Sequence, residues 1–300
     1  MKLPKSIRSI IPRFLLNKYR EHKRTKFNKN LSQAHLSGSL ISCGQLKSQL
    51  ESMGIKEGDS LLVHASLRQM GFIQDGPATV NEALLSVLGV NGNLLMPSSP
   101  VVSLQVDYVQ DNPIFNVTLT PSRMGAISEH FRTMKGVKRS LHPTEPVCAH
   151  GPKAVFLTEG HFNQLTPYSS DSPFHRLCEL KGKILYIGVS LDNAGTSLHL
   201  LEDAVEFAYP VYCDEIYDLR VIDDQNVEHR VKTKVHNPIY SKKRRCDDLI
   251  PLFLAKNACK QVTLGNAACL LFDADLMLNT MKEAYELNGT TMYTPNGLLT

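Results

Sequence analysis

The 300-residue chain contains no tryptophan, and none of its apolar runs approaches the roughly 20 residues that a membrane-spanning helix needs. Its seven cysteines (Cys43, Cys148, Cys178, Cys213, Cys246, Cys259 and Cys269) are odd in number and scattered. None forms a Cys-x-x-Cys pair or stands at zinc-ligand spacing from a histidine, so neither a metal site nor a disulfide scaffold is expected. Reduced thiols in a cytoplasmic protein are the simplest account. The composition that remains, 42% apolar and 21% charged, is that of a globular chain with a sizeable core. Three hundred residues allow one large domain or two moderate ones.

The formal net charge of +4 is unevenly spread. Residues 1–30 hold ten Lys or Arg against one acid, Glu21, and the rest of the chain is net acidic. Residues 1–44 therefore read as a basic arm and linker, and residues 45–300 as a single domain. Pro12 and Arg13 interrupt the apolar stretch of the arm and no small-residue cleavage site follows, which argues against a signal peptide. Ile7, Ile10, Ile11, Phe14 and Leu15 share one helical face with basic flanks. That pattern suits peripheral contact with an anionic membrane surface, at its inner face for a cytoplasmic protein. No recognisable nucleic-acid module follows, so nucleic acid is not an expected partner.

The body opens with a helix from Gln45 to Met53, ended by Gly54. A strand (residues 60–64), a helix (78–88) and a buried strand (94–97) follow at short spacing, which favours an α/β layered fold. Residues 98–122 lack clear periodicity and read as a long functional loop. Beyond them the pattern predicts helices at 124–134, 173–180, 247–257 and 274–287, a β meander over 209–233, and a strand-turn-strand over 261–272.

The most informative stretch is 184–206. Ile184, Leu185, Tyr186 and Ile187 read as a short buried strand, and Gly188 ends it. The loop 190–195 is rich in turn formers. A helix is expected to start at Thr196, with Thr196 as its N-cap. His199 and Glu202 then follow at three-residue steps on one face. A hydroxyl, an imidazole and a carboxylate at a strand-to-helix junction stand where catalytic groups gather in α/β folds. A capped helix carrying a buried, satisfied histidine is the alternative.

Five segments in order resemble the aminoglycoside 3-N-acetyltransferase family: HASLRQMG (64–71), SRMGAISEHFR (122–132), RSLHP (139–143), DSP (171–173) and TSLHLLED (196–203). The resemblance covers about residues 45–290 and leaves out the basic arm. It implies CoA-dependent acyl transfer to the amine of an amino sugar, with acyl-CoA as co-substrate and no metal. The implied fold is α/β: layered α/β/α with a central mixed sheet and a smaller β-rich part. It casts His199 as the general base, a role worth typically ~10²–10⁴-fold. Glu202, or another acid such as Asp171, would orient the imidazole. Thr196 would donate a hydrogen bond to the thioester oxygen or the departing sulfur. Ser66, Leu67, Arg68 and Gly71 would aim backbone N–H groups and a guanidinium at the CoA phosphates. Arg139, Ser140 and His142 would add further contacts. One position departs from the family pattern: Pro146 stands where many members have Ser in the HPxxS stretch.

The net-acidic body permits a polycationic acceptor. The basic run at 241–245 argues the other way. With Lys242, Arg244 and Arg245 as acceptor contacts, an anionic acceptor such as a nucleotide-linked amino sugar for surface polysaccharide is the favoured expectation. An aminoglycoside is the alternative, and a non-catalytic glycan-binding module a third. The sequence leaves the oligomeric state open, a homodimer being one expectation.

Overall fold

The computed structural model describes residues 40–297 and, in the basic arm, residues 18, 21, 22 and 25. The amphipathic arm expected over residues 1–30 thus lies almost wholly outside the described residues. Among these, no helix is long and apolar enough to cross a membrane. Residues from Ser42 onward form one compact unit.

The strands of that unit are β1 (Ser60–Ala65), β2 (Asn93–Pro97), β3 (Ile114–Asn116), β4 (Lys138–Arg139), β5 (Val147–His150), β6 (Lys183–Ile187), β7 (Tyr217–Ile222), β8 (Glu228–Thr233), β9 (Cys259–Leu264) and β10 (Ala267–Asp273). The large sheet has the order β4-β5-β2-β1-β6-β10-β9, and the small one β3-β7-β8. At the centre β2, β1 and β6 run parallel, with Leu61 opposite Leu94 and Val63 opposite Leu185. These three strands are buried along almost their whole length. That is why they read as continuous apolar runs rather than as alternating ones. Antiparallel strands flank them: β5 and β4 beyond β2, β10 and β9 beyond β6. The sheet is therefore mixed, as expected.

Helices cover the sheet. Helix Cys43–Ser52 starts with a capping box: the Gln45 N–H donates to Ser42 Oγ (3.3 Å) and the Ser42 N–H to Gln45 Oε1 (2.8 Å). Its Leu46 and Leu50 are fully buried. Helix Ala274–Asn288 is capped by Asp273 and ended by Gly289 at φ +74°. One core cluster joins Leu62, Leu95 and Tyr186 of the sheet to Phe174, Leu177, Phe253 and Met277 of the helices. Each fully buried Leu or Phe there contributes roughly 1.5–3 kcal/mol. The small sheet has its own core of Phe115, Val117, Val221 and Val231.

Three expectations need correction. Residues 98–122 are not one long loop: they contain helix Gln105–Asp111 and β3. That helix buries only Gln105 and Val109, too few positions to create a visible period. Strand β3 exists because it pairs in parallel with β7, more than a hundred residues later. Thr196 is not an N-cap. A helical turn already spans Leu191–Ala194, a 3₁₀ turn spans Thr196–His199, and helix Leu200–Ala204 follows with no side-chain cap. The helix expected over 247–257 is split into a 3₁₀ turn, Cys246–Leu249, and helix Ile250–Ala255, with Pro251 in the first turn of the latter, where its missing N–H costs nothing.

Candidate active site

The site forms at the carboxyl ends of the central parallel strands. Gly188 follows β6 with φ +62°, and a Cβ there would lie 2.3 Å from Cβ of Gln69. Glycine is the residue that both the positive φ and the close approach allow. The Ser66 N–H donates to the Ile187 carbonyl (2.9 Å), which holds the turn after β1 against the end of β6. Residues 66–71 sit on this turn, with a 3₁₀ segment Leu67–Gln69 and Gly71 at φ +91°. Arg68 is exposed and has no ion pair among the described residues.

His199 ends its 3₁₀ turn and Glu202 stands in the first turn of the next helix, so the three-residue step does place both side chains together. The Glu202 side chain is fully buried. Its Oε1 accepts from His199 Nδ1 (2.7 Å) and from the Tyr293 hydroxyl (2.5 Å), and its Oε2 accepts from His236 Nε2 (2.8 Å). Burial pushes the Glu202 carboxyl up, but His199 and His236 together hold it well below the usual range. An ionised carboxylate can only accept hydrogen bonds. His199 therefore carries its proton on Nδ1, and its Nε2 keeps a lone pair with no hydrogen-bond partner among the described residues. Burial drives the His199 imidazole down to about 3, against the pull of Glu202. The ring is thus neutral at physiological pH, with Nε2 as its acceptor atom.

Aromatic rings fix these imidazoles. His199 stacks on Tyr168 (centroids 4.9 Å apart) and His236 on Tyr212 (4.8 Å). The network then extends. The His236 backbone N–H donates to Gln105 Oε1 (2.9 Å), and Gln105 Nε2 donates to Glu145 Oε1 (2.8 Å). Burial raises the Glu145 carboxyl to about 7. Arg244 Nε reaches the Tyr293 hydroxyl at 3.5 Å, while its Nη2 is buried without a partner. The ligand atoms of His199, Glu202 and His236 lie within 4.8 Å of one another. One nitrogen of each imidazole is already taken up by a direct hydrogen bond to its own oxygen of the carboxylate. The set is built to hold protons rather than a cation.

The other expected site residues divide. Thr196 lies beside His64, with Oγ1 at 3.4 Å from His64 Nε2, so it belongs to the same strand-end region. Asp171 does not orient His199: its carboxylate is exposed and paired with Arg176 (3.3 Å). Arg139 does not present its guanidinium to a phosphate. Its nitrogens donate to the carbonyls of Val117, Thr120 and Ser98, and its guanidinium lies over the Phe115 ring. Ser140 accepts from the Val147 N–H (2.9 Å) and donates to His161 Nδ1 (2.8 Å). His142 is buried and stacked on His161. Arg139 and Ser140 also line a cavity of about 500 Å³ with Arg132, Lys138, Glu159 and Asp224, none of which belongs to the Glu202 network. Of the basic run, only Arg244 turns inward. Lys242 is exposed, and Arg245 is an exposed partner of Asp248.

A family model described as "Aminoglycoside 3-N-acetyltransferase" matches residues 62–286. The chain belongs to this family. Among its relatives, "Aminoglycoside N(3)-acetyltransferase IV" from Salmonella sp is 36% identical over 182 residues, covering 59% of this chain and 66% of that protein. Isozyme IX from Micromonospora chalcea is 28% identical, over 57% and 65% of the two chains. The chain thus aligns with just under two thirds of the length of these relatives. Among solved structures, AAC-VIa bound to sisomicin is 28% identical with a TM-score of 0.70, covering 83% of this chain and 98% of that one. AAC-IIIb in a binary complex with CoASH, at 23% identity, has a TM-score of 0.71 over 84% and 98%, and shows the shared fold. The mixed sheet flanked by helices and joined by a smaller sheet is therefore the architecture of this family.

Tyr168, Tyr212, His236, Tyr293, Gln105 and Glu145 belong to the site without any sequence motif that points to them. His236 is one of eleven histidines and lies in VHNP, with nothing to single it out. Only the fold brings it to Glu202, 34 residues earlier.

Proposed function

We propose that this acetyltransferase-family chain moves an acetyl group from acetyl-CoA to an amine of an aminoglycoside, with His199 as general base. The observation that carries the proposal is the buried His199–Glu202 pair, whose tautomer leaves Nε2 free to accept a proton. Acetyl-CoA supplies the thioester carbonyl that the amine attacks. His199 Nε2 takes the proton of the attacking nitrogen as the new N–C bond forms; the C–S bond then breaks, and CoA leaves as its free thiol with the proton returned from the His199 imidazolium. Glu202 steadies the resulting imidazolium through the Nδ1–H bond, a charge-assisted contact. The Tyr168 ring keeps the imidazole in place. Arg68 and the backbone N–H groups of residues 66–71 are the residues offered to the CoA phosphates, since Arg68 has no competing ion pair among the described residues; Arg139, Ser140 and His142 are committed to internal contacts. Thr196 remains a candidate donor beside the thioester.

The relatives named as aminoglycoside acetyltransferases support this acceptor over the nucleotide-linked amino sugar expected from the basic run. Two of the three cations that motivated the latter, Lys242 and Arg245, are solvent-exposed. Arg244 alone favours an anionic acceptor, because its buried guanidinium lies near Glu202.

The test is thiol release from acetyl-CoA against a panel of aminoglycosides and a panel of nucleotide-linked amino sugars. Turnover with aminoglycosides at low concentration is expected. Turnover confined to the nucleotide sugars would move the function to polysaccharide assembly and make Arg244 an acceptor contact.

A further inference from the structure

The Glu202 carboxylate serves two imidazoles, one on each oxygen: His199 on Oε1 and His236 on Oε2. His236 stands on the far side. Its Nε2 donates to Glu202 Oε2 at 2.8 Å, its backbone N–H is held by Gln105, and its ring is stacked on Tyr212 and tilted against His199 at 4.5 Å between centroids. It is 5% exposed, so water does not compete for this bond. The groups facing it are Glu202, His199, Tyr168 and Tyr212, with Arg244 as the charged neighbour.

We propose that His236 is a positioning residue for N-acyl transfer: it pins the outer oxygen of Glu202 so that the inner oxygen is presented, ionised and in plane, to His199 Nδ1. A carboxylate held only through Oε1, which accepts from both His199 and the Tyr293 hydroxyl, can rotate about its last bond and lose its alignment with His199 Nδ1. Held on both sides, it fixes the His199 tautomer and therefore the location of the lone pair. The inference rests on the assignment of His199 as base and adds a third member to that unit.

The experiment compares His236→Phe, which keeps the stacked ring but has no donor, with His236→Gln, whose amide N–H can reach Oε2. His236→Phe should lower kcat about 10- to 100-fold, the equivalent of one hydrogen bond to a charged group. KM for acetyl-CoA should stay within about twofold, since among the described residues the hydrogen bonds and ring contacts of His236 go to Gln105, Glu202, Tyr168, His199 and Tyr212 and none to the 66–71 turn. The acid limb of kcat/KM should move to higher pH, because a carboxylate with one donor fewer holds a proton on His199 more strongly. His236→Gln should recover most of kcat. A folded His236→Phe enzyme with kcat within threefold and an unmoved acid limb overturns the proposal. So does a Gln variant no better than Phe, which would leave the ring's packing as its sole role. Ring ¹⁵N shifts of His199 in the unliganded protein give a readout independent of the acceptor. The Nδ1–H tautomer should dominate in the wild type and in His236→Gln and become mixed in His236→Phe. An unchanged tautomer in all three overturns the proposal even if no aminoglycoside proves to be a substrate, an outcome that would instead refute the proposed acceptor.

Discussion

Replacing Glu202 by Gln is the sharpest test of the active-site argument. The side chain keeps its size, so packing is nearly unchanged, but one acceptor oxygen becomes an NH₂ donor. Three donors now converge on Glu202, from His199, His236 and Tyr293. The amide can accept on one side only. Where its NH₂ faces His199, that imidazole must shift its proton to Nε2 to offer an acceptor, and the lone pair needed for catalysis disappears. Where its NH₂ faces His236, the bond to His199 survives but is neutral, and the imidazolium loses its counter-charge. A hydrogen bond to a charged group is worth about 1.5–3 kcal/mol, and each 1.36 kcal/mol is tenfold in rate. Loss of one such bond, with part of the base function, predicts a kcat about 10²–10³-fold lower. KM for acetyl-CoA should change by no more than about threefold, because the 66–71 turn is untouched. The assay is steady-state thiol release with an aminoglycoside acceptor, alongside a thermal melt to confirm the fold. A folded Glu202→Gln enzyme with kcat within about threefold of wild type would refute the assignment of Glu202 as the partner of the base.

Other outcomes follow from the same structure. His199→Ala should reduce kcat by about 10²–10⁴-fold, the usual worth of a general base, with a cooperative thermal melt retained; near-normal turnover would remove His199 from the mechanism. Gly188→Ala should raise KM for acetyl-CoA and lower the urea midpoint, since the new Cβ meets Gln69 at 2.3 Å and must displace the 66–71 turn; unchanged KM would separate that turn from CoA binding. Glu145 has a folded carboxyl raised to about 7 by burial. Between the unfolded value of about 4.3 and 7, the folded state holds the extra proton, so this group's contribution to stability falls as pH rises through that window. Glu145→Gln should flatten that slope, read as urea midpoints at pH 5 and 8, and a steeper slope in the variant would reverse the sign.

Local chemistry makes much of the fold legible in the sequence itself. Parallel strands buried on both faces must be apolar almost throughout, so β1, β2 and β6 stand out as SLLVH, LLMP and ILYI. Helices 43–52, 77–88 and 274–288 carry their own caps or amphipathic patterns, and their predicted ends fall within two residues of the observed ones. His199 and Glu202 are legible because a three-residue spacing puts two side chains together whether the backbone is 3₁₀ or α. Whatever depends on distant pairing is not legible in this way. Strand β3 exists through β7. Asp171 reads as an orienting acid, yet its carboxylate faces solvent and Arg176. Arg139 reads as a phosphate ligand, yet its guanidinium satisfies three carbonyls. Lys242, Arg244 and Arg245 form one run in sequence but split between solvent and the interior, because a short irregular segment turns successive side chains to different sides. Most of all, the carboxylate of Glu202 is buried, and a buried charge must be surrounded by donors. Those donors, His236 and Tyr293, come from chain positions 34 and 91 residues away. Local spacing in the sequence brings His199 and Glu202 together; tertiary structure alone decides which donors surround the buried carboxylate.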